Sequence, residues 1–301
     1  MTLPRPVYEG DVVHIQRRII DGQLLLRPDP EVLELVRYAV AAAAERCGIV
    51  LHSCCVIANH VHLLATDPEG RHPEFTAHMN RTIALGLHRL HDLHGTIWEP
   101  GGPSVQRMEG AEAMLEAIGY IHANPIAAGY VHDERLYPGL FGIDERAPLK
   151  RSTERIRRPA CFGPDSALPE EVELKIETVA QLVEERGAER AANDIALAIR
   201  RHREKAQRER AESGLSYLGI KRVLEKKITK RAKRPKRAGF SPTFKGVVGG
   251  AIRRASETLR AFRSAYAEAL AQLREGVRDV VFPYGTYYLR RYAGVATLPS
   301  G

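Results

Sequence analysis

The sequence predicts an α+β fold, with one mostly antiparallel sheet and helices packed on it, followed by a mainly helical, basic C-terminal region. Three observations predict it. Over the first 148 residues, two-residue apolar alternation and helical spacing succeed one another in the order β-α-β-β-α-β-α, with short connections. Near residue 150 the composition shifts, with Lys150 and Arg151 opening a stretch rich in Ala, Glu and Arg. A length of 301 residues fits about two domains, placed at 1–148 and 149–301.

Residues 12–18 (VVHIQRR) alternate around Val13 and Ile15 and read as a strand. Pro28-Asp29-Pro30 punctuates the chain. Residues 31–47 read as a helix, because Val32, Leu33, Leu35, Val36, Val40 and Ala43 form one stripe, and Gly48 is its stop signal. Residues 49–58 are apolar and β-branched and read as a strand. Asn59 marks a tight turn, and 61–66 read as the next strand, closed by Asp67-Pro68-Glu69-Gly70. Residues 74–94 read as a second long helix, ended by Gly95. A loop at Pro100-Gly101-Gly102-Pro103 leads to a strand over 104–108. Residues 111–123 read as a third helix, ended by Pro125, which lacks the amide donor and restricts the residue before it.

In the second half, residues 169–210 read as helical, Ser213-Gly214 as a break, 215–227 as a further helix, and 243–274 as containing another. That last stripe holds Ala261, Phe262, Ala265, Tyr266, Ala269 and Leu273. Between them lies a basic run without an acidic residue: Lys226, Lys227, Lys230, Arg231, Lys233, Arg234, Lys236 and Arg237. With a net charge of +8, the run is a candidate DNA contact that would make binding salt-dependent; a solvated charged linker is its other reading. The aromatic tail around Tyr284, Tyr287, Tyr288 and Tyr292 is read as packing. Cys47, Cys54, Cys55 and Cys161 form no CxxC pair and read as free thiols. No run of about 18 apolar residues is present, and the N-terminal residues lack a signal-peptide core. A cytoplasmic protein without a membrane partner is expected. No P-loop or dinucleotide glycine pattern occurs, so no nucleotide cofactor is expected.

The chemistry concentrates in two pieces. In Asn59-His60-Val61-His62-Leu63-Leu64, residues two apart in a strand share a face, so His60 and His62 project together and could share a divalent ion. In Tyr120-Ile121-His122-Ala123-Asn124-Pro125, Tyr120 and Asn124 lie one helical turn apart, beside the stripe of Met114, Ile118 and Ile121. Asn124 could add an oxygen ligand and Tyr120 could stand near a bound substrate. Each has a plainer reading: Tyr120 as a half-buried ring with a wet hydroxyl, Asn124 as a helix cap before proline. His122 points elsewhere around the helix and is not a candidate ligand. His88, His91 and His94 read as a solvated face.

The segments CVIANHVHLLATDPEG and AIGYIHANPIAAGYV together resemble the HUH single-strand tyrosine transposases, particularly the REP-associated branch. The likeness covers roughly the first 145 residues in element order. It implies a ferredoxin-like HUH nuclease domain, with His60, His62 and Asn124 as metal ligands, Tyr120 as nucleophile, and Mg2+ or Mn2+ as the ion. It implies single-stranded or hairpin DNA as partner, with a 5′-phosphotyrosine intermediate in transposition. The family includes monomers and homodimers. This chain departs from the pattern at Ile57-Ala58, where Met-Pro is common. It departs again at Trp98-Glu99-Pro100-Gly101-Gly102, where a different substrate-facing strand is common. The competing readings are a non-catalytic DNA-binding protein that keeps the fold, and a metallohydrolase in which Tyr120 is structural.

Overall fold

At the centre of the sheet is a hairpin of β2 (Val50–Ile57) and β3 (His60–Asp67), joined by the two-residue turn Ala58-Asn59. Both strands are buried along almost their whole length, as β-branched and aliphatic runs covered on two faces must be. The structure, a computed structural model, describes residues 3–231, 242–247 and 249–299. β1 (Asp11–Arg18) pairs antiparallel with β3 over all eight residues, Asp11 opposite Asp67 and Arg18 opposite His60. β4 (Ser104–Glu109) pairs antiparallel with the other edge of β1.

Helix α1 (Pro30–Cys47) connects β1 to β2, and α2 (His72–His91) connects β3 to β4. The resulting strand order β2-β3-β1-β4 is the ferredoxin-like α+β arrangement. The two helices pack together closely: a Cβ on Gly86 would lie 2.3 Å from Leu35. Gly48 ends α1 in the left-handed region at φ 67°, a conformation glycine adopts without steric cost. The first turn of α2 is held by buried Asp67, whose carboxylate accepts from the backbone amides of Arg71 and His72 at 2.7 and 2.8 Å. α2 stops before Gly95: Asp92 takes the left-handed cap at φ 48°, which a short polar side chain tolerates.

Helix α3 (Ala111–Ala127) is longer than the sequence suggests. Pro125 lies inside its last turn. The missing amide removes a single hydrogen bond there, while the turn continues through Ala128 N–H to the Asn124 carbonyl at 2.9 Å. Burial of Ala123 and Ile126 against Ala206 stabilises this extension.

The sheet goes beyond its four central strands, and three of the added strands follow residue 148. β5 (Leu140–Gly142) and β7 (Glu171–Ile176) both pair with β2, β6 (Ser152–Arg157) pairs with β7, and β8 (Phe244–Gly246) runs parallel to β4. Later strands therefore satisfy backbone groups that the first-half sheet leaves open at its edges. One buried apolar cluster runs from Val12 to Val223, across the expected boundary. The expected helix over 169–210 opens instead with β7, where Val172, Leu174 and Ile176 alternate as buried residues. α4 (Ala180–Arg186) and α5 (Ala188–Glu212) follow. The helix expected over 215–227 shrinks to α6 (Ile220–Leu224), because Gly214 and Gly219 both take positive φ ahead of it.

α7 (Gly249–Arg274) leads to β9 (Val281–Phe282), α8 (Tyr288–Ala293) and β10 (Ala296–Thr297), with Phe282 fully buried against the α7 side. The tail is anchored by the Tyr287 hydroxyl, which donates to Glu74 at 3.0 Å, and by the Val7 amide on the Gly285 carbonyl. Tyr284 and Tyr287 pack as expected, whereas Tyr288 and Tyr292 stack on each other in the open. Cys47, Cys54 and Cys55 are buried free thiols, and burial pushes the Cys54 and Cys55 thiols up. Among the described residues no helix is long and apolar enough to cross a membrane.

Candidate functional site

Strand alternation sends Val61 and Leu63 to one side of β3 and His60 and His62 to the other. The two imidazoles stand nearly perpendicular, with ring centroids 4.8 Å apart. Across that face runs α3, which brings the Tyr120 ring edge-on to His62 at 5.2 Å. Asn124, one turn later, lies beside the His60 ring, where it favours the charged form, and donates its amide nitrogen to the Tyr120 carbonyl at 3.3 Å. The four residues singled out in the sequence are therefore brought together in space.

Each ring has a fixed orientation. His60 Nδ1 is 2.7 Å from Asn59 Oδ1; an Nδ1–H donating there leaves Nε2 as the nitrogen with a free lone pair. His62 Nδ1 is 3.0 Å from the Nε2 of a third imidazole, His14 on β1, and these two rings stack at 5.2 Å. His62 Nε2 is buried with no hydrogen-bond partner. Burial holds His14 and His60 down at about 4, with the positive charges of Lys245 and Arg18 respectively adding to the effect. His62 is lowered further, by burial first and then by its histidine neighbours and Arg18. All three are neutral at physiological pH, the form that ligates a metal.

A buried imidazole nitrogen without a partner is costly unless something binds it. Two imidazole nitrogens and an amide oxygen fit a divalent ion that keeps open positions for phosphate oxygens. Among the described residues there is no group of three or more His, Cys, Asp or Glu arranged to enclose a metal; His60, His62 and the amide of Asn124 are the residues that could supply donors here. Tyr120 is 43% exposed, so its side chain is not packed into the core. His122 is buried, 3.4 Å from Ser53 Oγ, and held neutral by burial, down to about 4. His88 bonds the Gly95 carbonyl at 2.9 Å, and His94 lies beyond the end of α2.

The described part of the basic run lies along residues 21–27. The Lys226 carbonyl accepts from Arg27, Leu24 N–H bonds the Ile228 carbonyl at 2.8 Å, and Arg231 pairs with Asp21 at 3.2 Å. Leu26 in that segment, and Ile19 just before it, donate their amides to the carbonyls of Ala58 and Asn59 respectively. Lys227 and Lys230 are exposed beside it, and Lys226 is partly covered. Lys233, Arg234, Lys236 and Arg237 lie outside the described residues. Trp98, where the chain leaves the transposase pattern, is buried; its indole donates to the Asn80 carbonyl at 2.9 Å and its backbone bridges Ile19.

Sequence reasoning missed His14 and Lys245. His14 carried a signal in VVHIQRR, an imidazole inside an alternating strand, but its meeting with His62 depends on the β1–β3 register. Lys245 carried none.

No family model matches this chain, and no curated protein matches it. Among solved structures it is similar to a REP-associated tyrosine transposase bound to a REP hairpin. That match has 16% identity and a TM-score of 0.38, over 46% of this chain and 81% of that one. It is also similar to a candidate transposase from Deinococcus radiodurans, at 20% identity and a TM-score of 0.28, over 35% of this chain and 84% of that one.

Proposed function

We propose that this chain is a tyrosine transposase that cleaves and rejoins single-stranded or hairpin DNA through a 5′-phosphotyrosine link. The observation that carries the proposal is the pairing of an exposed Tyr120 with the unpartnered His62 Nε2 on the face that it overhangs. A packing tyrosine would bury its ring and satisfy its neighbours; this one leaves a donor nitrogen open beside a reachable hydroxyl.

His60, His62 and Asn124 would hold Mg2+ or Mn2+, which supplies charge neutralisation and alignment of the scissile phosphate. The phenol is a weak nucleophile at neutral pH, so positioning matters. α3 fixes Tyr120 by its backbone while the side chain stays free to meet phosphorus in line. The Tyr120 oxygen bonds phosphorus and the 3′-oxygen leaves. Because the phosphodiester energy is kept in the protein–DNA link, a later 3′-hydroxyl reverses the step without ATP. The basic run would hold the DNA backbone.

The test is covalent attachment. Circular single-stranded phage DNA, which presents many short sequences and hairpins, is incubated with the full chain and Mn2+, and adducts are read on a denaturing gel. The wild type forms an adduct and Tyr120→Phe forms none. An adduct with Tyr120→Phe removes Tyr120 from the role. Metal-dependent cleavage without an adduct makes the protein a metallohydrolase, and binding without cleavage makes it a non-catalytic DNA-binding protein.

A further inference from the structure

A cationic side chain comes to Tyr120 from far along the chain. β8 lies parallel to β4 with Lys245 in register with Met108. Gln106, two residues before Met108, is opposite His14 and interacts with its ring. Strand alternation puts Lys245, Gln106, His14 and His62 on one face, a polar row across four strands beneath α3. At its outer end the Lys245 ammonium is 6.0 Å from the centre of the Tyr120 ring, within the range of a cation–π contact. Lys245 is only partly covered, and no ion pair to it occurs among the described residues. A lysine held against a tyrosine, close to His14 and without a carboxylate partner among the described residues, is poised for an anion.

We propose that Lys245 is a phosphate-binding catalytic residue of the Tyr120 site. The assignment rests on the tyrosine-transposase reading and deepens it: the second half of the chain completes the site through β8. The Lys245 ammonium contacts a non-bridging oxygen of the scissile phosphate and keeps its own proton throughout. The Tyr120 oxygen forms the bond to phosphorus as the bond from phosphorus to the 3′-oxygen breaks. The phenolic proton passes to water and the departing 3′-oxygen takes one from water, so protons balance. A preorganised cation facing charge that develops at phosphorus accelerates such a step by roughly 10²–10³-fold. Lysine serves here as a point charge, so arginine is a partial substitute.

The experiment compares the full-length wild type, Lys245→Ala and Lys245→Arg. Adduct rate is read on circular single-stranded phage DNA with Mn2+. Affinity for a labelled 30-nucleotide mixed-sequence oligonucleotide is read against salt in EDTA, where no metal-dependent chemistry occurs. Thermal melts confirm that the variants fold. Lys245→Ala is expected to slow adduct formation about 10²-fold or more, Lys245→Arg to recover at least part of the loss, and the salt slope to fall by about 0.7 in Lys245→Ala, one phosphate contact on a single strand. An alanine variant within about threefold of wild type, or an unchanged salt slope, overturns the proposal. If the wild type itself forms no adduct, the transposase reading fails; a reduced slope then still establishes the phosphate contact, and an unchanged slope removes it too.

Discussion

Replacing Gly119 by alanine tests how firmly the second half of the chain holds α3, the helix that carries Tyr120. Gly119 precedes Tyr120 and faces α5. A Cβ there would lie 2.4 Å from His202 Cδ2 and 2.7 Å from the Ala198 carbonyl oxygen. The imidazole could swing aside at the expense of its 3.2 Å contact with Glu116, but the carbonyl belongs to the α5 backbone. Helix propensity alone favours alanine by about 1 kcal/mol. Overpacking a well-filled contact costs about 1–3 kcal/mol, and a clash with backbone belongs at the upper end. The net expectation is a loss of about 2 kcal/mol, read as a lower urea midpoint at unchanged m-value. Gly119→Ala/His202→Ala should recover only part of that loss, since the Ala198 oxygen remains. The shift carries Tyr120 with it, and about 1 Å of misplacement costs on the order of 10²-fold in rate. A stabilised Gly119→Ala, at the value of its helix propensity, would refute the close approach of α3 and α5.

Two further outcomes follow from buried charges. Burial raises Asp11 to about 7 from an ordinary value of 3.8, with Arg107 opposing and Glu109 and Asp67 reinforcing the rise. The folded chain thus keeps a proton that the unfolded chain loses. Asp11 contributes most below about pH 4, and its contribution falls as pH rises toward 7, by up to about 1.4 kcal/mol per unit. Asp11→Asn should flatten that fall and melt higher than wild type at pH 8; equal melting at pH 5 and pH 8 relative to wild type would show that Asp11 is not strained. Glu134 is 2% exposed and accepts from Arg203 Nε at 2.8 and 2.9 Å. Glu134→Ala leaves that guanidinium with Glu145 alone and should cost about 3 kcal/mol, measured by chemical denaturation; a midpoint matching wild type would show that Glu145 suffices.

Much of the first half was legible because its signals are local. Alternation in VVHIQRR and CVIANHVHLL, and the stripe of residues 31–47, repeat over two to four residues, and the strands and helices formed where these patterns placed them. Their ends were less legible where tertiary contacts outweighed a local breaker. Pro125 stays inside α3 because burial of its neighbours offsets one missing hydrogen bond. EVELKI reads as helical in its surroundings although Val172, Leu174 and Ile176 alternate, because the edge of β2 that it completes is remote in sequence.

The site divides in the same way. By itself the sequence determined that His60 shares a face with His62, and that Tyr120 shares one with Asn124, since each pair lies within one repeat of its own element. That the helix lies across that strand face, that His14 meets His62 through the β1–β3 register, and that Lys245 reaches Tyr120 on a strand added at the sheet edge were decided by tertiary structure. Pairing between distant segments depends on which edges and faces are left to cover, and no local spacing encodes that.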